Sequence, residues 1–247
     1  MAATVAEAEI ARTQARPRGV MMRIAGVLFS PRAVYADVAA QPRSAGVLVV
    51  VTLIAAGGLF MFLSTAVGQA VWIDAVVLQQ ESVGRTLTDT QYARLEATAH
   101  YAAPLFAVFQ VVALPLLCAL VAGLARAVFN AGLGGGATFR QAFAIVAHSG
   151  VVIALSQLFN LPLAYARQTM TTASNLAVFA PFLDESSFAA RLLGAIDLFL
   201  IWWTISLAIG LGVLYRRRTA PIATTLIVIY VAIGVVIAAV KTAWSGA

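Results

Sequence analysis

Long apolar runs that lack charged side chains alternate with short polar segments along this chain of 247 residues. About 20 consecutive apolar residues are enough for a helix to cross the hydrocarbon core of a bilayer. The pattern therefore predicts an all-α, polytopic integral membrane protein. Its five transmembrane helices are expected at about 45–68, 104–127, 141–163, 190–215 and 219–240.

The composition excludes the soluble globular class. Hydrophobic residues make up 62% of the chain and charged residues only 11%, whereas soluble domains carry about 25% charged residues. The net charge of +6 does not indicate a nucleic-acid partner, because the basic residues lie at the ends of the apolar runs. The lipid bilayer is the expected surrounding of the transmembrane domain, 44–240.

The segments outside the five runs have different expected roles. Residues 1–19 are predicted to be a polar cytosolic N-terminus, since they lack the short apolar core and cleavage site of a signal peptide. Residues 20–43 are apolar with interspersed arginines, which predicts an interfacial amphipathic segment, broken at Pro31. Residues 241–247 are predicted to be a C-terminal tail.

The distribution of arginines predicts the orientation. Arginines are concentrated before the first run, beside the second connection and in the turn Arg216–Arg218, whereas the first and third connections contain acids. The positive-inside rule then places the N-terminus in the cytoplasm and, after five crossings, the C-terminus outside. Lys241 is the only lysine, and with the abundant alanine and valine this favours a bacterial source and the plasma (bacterial inner) membrane.

Asp197 is the most informative single residue, because it lies inside the apolar stretch Leu193–Trp203 of the fourth run. A carboxylate in a membrane-spanning helix costs a few kcal/mol to insert and normally faces protein or a water-filled cavity. On a continuous helix it would share a face with small residues, which let another helix approach closely. Two interpretations stay open: a proton or cation site, or a hydrogen bond that joins two helices.

The third run adds His148, Ser149, Ser156 and Asn160 to the polar side chains expected within the bilayer. The two serines and Asn160 share one helical face, which is either a packing stripe or the wall of a small polar cavity. At 1.5 Å per residue, His148 and Asp197 differ in depth by about 9 Å, which disfavours a direct pair. These five residues form the candidate intramembrane polar site.

No catalytic residue, cofactor site or metal site is predicted. The chain contains neither a Walker lysine nor an H-E-x-x-H motif, and its possible metal ligands are few and scattered. Cys118 is the only cysteine, which excludes an intramolecular disulfide. The glycine-rich turn 132–137 is expected to be a hinge rather than a phosphate-binding loop, because no strand precedes it.

Several short motifs follow one another over about residues 20–240. They are Phe29-Ser30-Pro31, Gln41-Pro42, Asp197-Leu198-Phe199-Leu200-Ile201-Trp202 and Gly210-Leu211, followed by a basic turn and a final apolar helix. In this order they resemble the Yip domain family, named for Ypt-interacting protein, in its bacterial form. The resemblance implies a five-span protein with a cytosolic N-terminus.

Eukaryotic members of that family are associated with small Rab-type GTPases and with ER–Golgi traffic. They tend to have a long cytosolic N-terminal region, whereas about 43 residues precede the first run here. A GTPase partner is therefore doubtful for this chain.

Two functions are compatible with these patterns. The favoured one is a non-enzymatic integral membrane scaffold that recruits or assembles partner membrane proteins, or that associates with itself. The alternative is a small transporter or channel subunit with a polar site around Asp197 and His148.

Overall fold

The computed structural model describes residues 19–81, 84–132, 134–184 and 187–245, so the expected polar N-terminus lies, apart from Gly19, outside the described residues. The described residues form helices and turns, and their one strand-like pairing is an isolated bridge between Asn175 and Asp197. The prediction of an all-α fold is confirmed.

The α-helices are numbered here in chain order. In the described part of the chain they are α1 (Val20–Phe29), α2 (Pro31–Ala40), α3 (Ala45–Leu63), α4 (Ala66–Glu81), α5 (Asp89–Thr98), α6 (Ala102–Arg126), α7 (Phe139–Ser149), α8 (Val151–Arg167), α9 (Phe188–Ala195), α10 (Leu198–Leu214) and α11 (Thr219–Ser245). Short 3-10 helices occupy Ala99–Tyr101 and Leu176–Phe179, and a π-helical turn, Ala127–Gly132, follows α6.

Four helical stretches of the described chain are long and apolar enough to cross a membrane, which confirms the polytopic prediction. They are Ala45–Leu63, Asp89–Gly132, Phe139–Arg167 and Thr219–Trp244. The fifth expected span, 190–215, is instead divided between α9 and α10. Helix α10 is mostly apolar and has 17 residues, or about 25 Å, slightly less than the roughly 30 Å of a bilayer core.

The stretch α7–α8 is the centre of the bundle. In its most apolar window 61% of the residues are buried inside the molecule, against 11% for the stretch that contains α6 and 11% for α11. Helix α10 packs closely on this centre at Gly210, where an added Cβ would lie 2.5 Å from Cγ2 of Ile145. A side chain at this position would therefore force the two helices apart.

The segment 20–43 is broken at the expected place but differs in its surroundings. Pro31 occupies the first turn of α2, a position that tolerates the missing N–H. Val34, Tyr35 and Val38 are fully buried rather than facing lipid, and the Tyr35 hydroxyl lies 2.6 Å from Oγ of Ser206 in α10. Burial raises the pKa of Tyr35 well above its usual value, although the Ser206 hydrogen bond opposes this. The phenol is therefore neutral and belongs to the core.

Helix α2 also identifies one end of the bundle. Nε of Arg140 donates to the Pro42 carbonyl at 3.1 Å, and Nη2 of Arg32 lies 3.4 Å from the Thr219 hydroxyl. The starts of α7 and α11 therefore lie at the same end. The stretch Phe139–Arg167 has 29 residues, about 43 Å, so Arg167 lies at the opposite end. The chain must cross the bundle again before Thr219, and α9 with α10 form that crossing.

The first span ends earlier than expected, at Leu63 instead of residue 68. Hydroxyls of Ser64 and Thr65 bond the carbonyls of Phe60 and Phe62, both at 2.7 Å. The chain then turns so sharply into α4 that a Cβ on Gly68 would lie 2.0 Å from the Phe62 carbonyl oxygen. Much of the connection between the first two long apolar helices is thus helical.

The last helix is longer than expected. Helix α11 continues to Ser245, so residues 241–245 of the predicted tail are helical, and 246–247 lie outside the described residues. Local helix propensity explains this, because Lys241-Thr242-Ala243-Trp244 contains neither glycine nor proline.

Candidate polar site at a helix break

The continuous helix expected over 190–215 is interrupted at Ile196 and Asp197. Helix α9 ends at Ala195 and α10 begins at Leu198, while the two residues between them have extended backbone, with φ of −99° and −107°. The apolar pattern continues through the break, which is why the sequence predicts one helix there. The pattern predicts that Asp197 lies on a helix face beside small residues. This prediction is wrong, because Asp197 lies in the break between α9 and α10.

Asp197 is instead the N-cap of α10. Its Oδ1 accepts hydrogen bonds from the backbone N–H groups of Phe199 at 2.8 Å and Leu200 at 3.2 Å. An acidic side chain at this position satisfies N–H groups that have no partner within the helix, and its charge complements the positive end of the helix dipole. The carboxylate therefore has a local structural partner.

The loop after α8 pairs with the break through its backbone. The N–H of Leu198 donates to the Ser174 carbonyl at 3.0 Å, and the N–H of Leu176 donates to the Ile196 carbonyl at 2.9 Å. The Ser174 hydroxyl also donates to Oδ2 of Asp197. One short loop thus supplies partners both to the extended backbone and to the acid.

Asn160 connects this loop to α8. Its Nδ2 lies 3.0 Å from the hydroxyls of both Ser156 and Ser174, and its Oδ1 accepts from the Ala173 N–H at 3.1 Å. Hydrogen bonds therefore join Ser156, Asn160, Ser174 and Asp197 in one network, which is called the outer polar network below. Three of these side chains are buried and Ser156 is partly buried.

Tyr230 of α11 completes the network from the other side. Its hydroxyl accepts from the Asp197 N–H at 2.8 Å and donates to the Ala195 carbonyl at 2.9 Å. These two backbone groups lie on either side of the break. A single phenol therefore replaces hydrogen bonds that a continuous helix would have made within its own backbone.

His148 and Ser149 are fully buried but belong to a different part of the bundle. Nδ1 of His148 lies 2.7 Å from the Ala144 carbonyl, and the Ser149 hydroxyl donates to the Val146 carbonyl at 2.8 Å. Within the described ranges no hydrogen bond joins either residue to the outer polar network. Nε2 of His148 and the hydroxyl of Thr52 are buried and have no hydrogen-bond partner there.

The outer polar network lies near the end of the bundle opposite α2. Asp197 precedes the 17 residues of α10, which places it about 25 Å from the end of that helix near α2. In a core of about 30 Å this is close to the far boundary, where a charged side chain costs less than at the centre.

The sequence patterns did not identify two participants, Ser174 and Tyr230. The only available signals were the polar run Thr171–Asn175 in the third connection and a tyrosine in the middle of the last apolar run. Neither signal indicates which residue it will contact, because Ser174 and Tyr230 are 23 and 33 residues from Asp197.

The outer polar network and Tyr230 bond the backbone at the helix break and hold the loop after α8 in place. Their polar atoms are already used in these bonds. Their side chains include one carboxylate, two serine hydroxyls, one amide and one phenol. In the described part of the chain, no group of three or more His, Cys, Asp or Glu residues could hold a metal ion.

Comparison with known proteins gives one match. The family model of the Yip1 domain matches residues 25–240, which is most of the chain. No curated protein and no solved structure matches. The matched range includes α2, the helix break with its Asp197 cap, and the first 22 residues of α11, and it confirms the resemblance found in the sequence motifs. The chain therefore belongs to the Yip1 domain family.

Proposed function

We propose that the protein is a non-enzymatic integral membrane scaffold, which assembles with partner membrane proteins or with further copies of itself. Family membership supports a role within the membrane. The exposed face of α11 is the observation that favours assembly in particular.

Small side chains follow one another along that exposed face. Thr225, Ala232 and Ala239 are exposed and stand seven residues apart, with larger exposed residues such as Val228 and Val236 between them. A spacing of seven residues keeps side chains on one side of a helix. Within a membrane, small residues at such positions let a second helix approach closely.

Helix α6 provides the contrast, because it is as exposed as α11 but has large residues on its outer face. Leu105, Val108, Val112, Leu116 and Leu120 are all more than half exposed. Such a surface suits lipid chains, which need no close approach of two backbones. The difference between the two helices supports α11 as the surface for a protein partner.

The outer polar network supports this function over transport. Its donors and acceptors bond each other and the backbone at the helix break. A transport path that used both Asp197 and His148 would have to join two separately bonded sites. The network therefore gives no specific support to the alternative of a transporter or channel.

The proposed setting is the bacterial inner membrane, with the N-terminus in the cytoplasm and the C-terminus outside. The five crossings would be α3, α6, α7–α8, α9–α10 and α11. The arginine-rich connections at the end that contains α2 support this orientation. A GTPase partner is not part of the proposal.

The test is to enlarge the small residues of α11. We expect Ala232→Leu with Ala239→Leu to abolish most crosslinking of the protein to itself or to membrane partners, because leucine prevents close helix contact. Crosslinking in isolated membranes, followed by purification in mild detergent, measures the effect.

The matched control is Val108→Phe with Val112→Phe, which enlarges the exposed face of α6 and should leave crosslinking unchanged. The proposal is overturned if the native protein yields neither partners nor an oligomer. It is also overturned if the α11 variant crosslinks as efficiently as the native protein.

A further inference from the structure

Exposed arginines converge at the end of the bundle that contains α2. They come from three parts of the chain and comprise Arg32, Arg43, Arg126, Arg140 and the turn Arg216–Arg218. The bonds from Arg140 to Pro42 and from Arg32 to Thr219 hold two of these parts against α2. The third contact is a stack of Phe129 on Tyr215, with ring centroids 4.5 Å apart. This surface is called the basic end.

Carboxylates are few in the described segments that carry these arginines. In the described segments 20–43, 126–140 and 214–220, Asp37 is the one acidic residue, and it is partly buried. The opposite end is different, because the described residues there include as many acids as bases: Asp74, Glu81, Asp89, Glu96 and Asp184 with Arg85, Arg94, Arg167, Arg191 and Lys241. The described part of the chain therefore has one strongly positive end and one end with as many acids as bases.

The backbone holds the arginine turn in a defined shape. Arg216 has a φ of 53°, in the left-handed region that non-glycine residues rarely adopt. The N–H of Arg217 donates to the Gly212 carbonyl at 2.9 Å, which closes the turn onto the end of α10. The three arginines are thus presented from a constrained turn.

Large apolar side chains accompany the positive charge. On α1, Met21 is 74% exposed and Met22 is 65% exposed, and Phe29 at the end of that helix is 84% exposed. Apolar side chains beside arginines are typical of a surface that lies in the headgroup region of a bilayer, with the apolar groups inserted and the charges at the phosphates. An acidic protein would match the charges but would not account for the three exposed apolar side chains.

We propose that the basic end binds anionic phospholipid headgroups in the leaflet that it faces. The arginines contact the phosphates, and Met21, Met22 and Phe29 enter the adjacent acyl region. This inference is independent of the proposed scaffold function. It rests on the basic end, whereas the scaffold function rests on the exposed face of α11.

The experiment uses the full chain purified in a neutral detergent. The probes are phosphatidylglycerol and phosphatidylcholine with the same acyl chains, and bound lipid is counted by native mass spectrometry. We expect preferential binding of phosphatidylglycerol, weakened by added salt. Arg216→Gln, Arg217→Gln and Arg218→Gln together should weaken it by roughly tenfold to a hundredfold.

The matched control removes three exposed arginines from the other end, by Arg85→Gln, Arg94→Gln and Arg167→Gln, and should leave the preference intact. Phe29→Ser should weaken lipid binding, whereas inorganic phosphate should not displace the lipid. Equal binding of the two lipids by the native protein would overturn the proposal, and so would equal losses in the two triple variants. Displacement of the lipid by inorganic phosphate would indicate a site for the free anion and would also overturn it.

Discussion

Asp197 and Tyr230 satisfy backbone groups that the helix break would otherwise leave without partners. Such groups are costly within a membrane, where water is not available to bond them. Asp197 accepts from the first N–H groups of α10, and Tyr230 bonds the N–H and the carbonyl on either side of the break. At the scale of the residue, the acid therefore has a structural task whether or not it has a chemical one.

We expect Asp197→Ala to lower the free energy of unfolding by about 2 to 4 kcal/mol. Loss of an N-cap contributes about 1 kcal/mol, and the buried hydroxyl of Ser174 loses its acceptor, which costs about 1 to 3 kcal/mol. Asp197→Asn should cost less, because the amide oxygen can still cap the helix. Denaturant unfolding in micelles measures both, with exposed Asp74 mutated to alanine as the control. Equal stabilities of the Asp197→Ala and Asp74→Ala variants would contradict this role.

The sequence could predict that Asp197 and Asn160 need polar partners, because polar residues are conspicuous in apolar runs. Their partners could not be predicted. Ser174 lies in a connection whose path depends on the whole bundle, and Tyr230 reaches Asp197 only because α10 and α11 pack side by side. Periodicity describes one helix at a time, whereas a hydrogen-bonded network needs the arrangement of several.

At the scale of the element, apolar runs located the membrane helices and side-chain chemistry determined their ends. The apolar run 44–73 predicts one helix at about 45–68, yet Ser64 and Thr65 end α3 and a second helix begins within the run. The run near 190–215 likewise contains a cap that divides it. In both places the apolar character of the run continues through a break made by local hydrogen bonds.

The corner between α3 and α4 can be tested with two glycines. Gly68→Ala should destabilise the protein by about 2 kcal/mol or more, because the new Cβ would clash with the Phe62 carbonyl oxygen. Gly57→Ala, within α3, meets no atom within 4 Å and should be neutral or stabilising by up to about 1 kcal/mol. Thermal unfolding of the two variants gives the comparison. A Gly68→Ala variant as stable as the native protein would show that the corner can rearrange.

At the scale of the whole molecule, the distribution of charge and the connections between helices both indicate a bundle whose two ends differ in charge. The starts of α7 and α11 lie together beside α2, and the arginines gather at that same end. The alternation of basic and acidic connections could be predicted from the sequence, but the packing of α2 beneath α7 and α10 could not. It depends on Tyr35 meeting a serine 171 residues away.

The proposed orientation predicts which end is accessible from outside the cell. In a Cys118→Ser background, Arg94→Cys should react with a membrane-impermeant maleimide on intact cells, because α5 belongs to the connection between the proposed outer ends of α3 and α6. Arg218→Cys should react only after the membrane is permeabilised. The reverse pattern of labelling would invert the proposed topology, and labelling of both sites on intact cells would contradict the separation of the two ends.

The hydrogen bond between Tyr35 and Ser206 also has a consequence for the order of assembly. Helix α2 is synthesised before any of the long apolar helices, yet its buried tyrosine bonds to a residue of α10, near the end of the chain. Contacts between residues so distant in sequence form late, because the intervening chain must first be in place. Helix α2 leaves the ribosome early, yet it is therefore expected to be among the last helices to reach its final position.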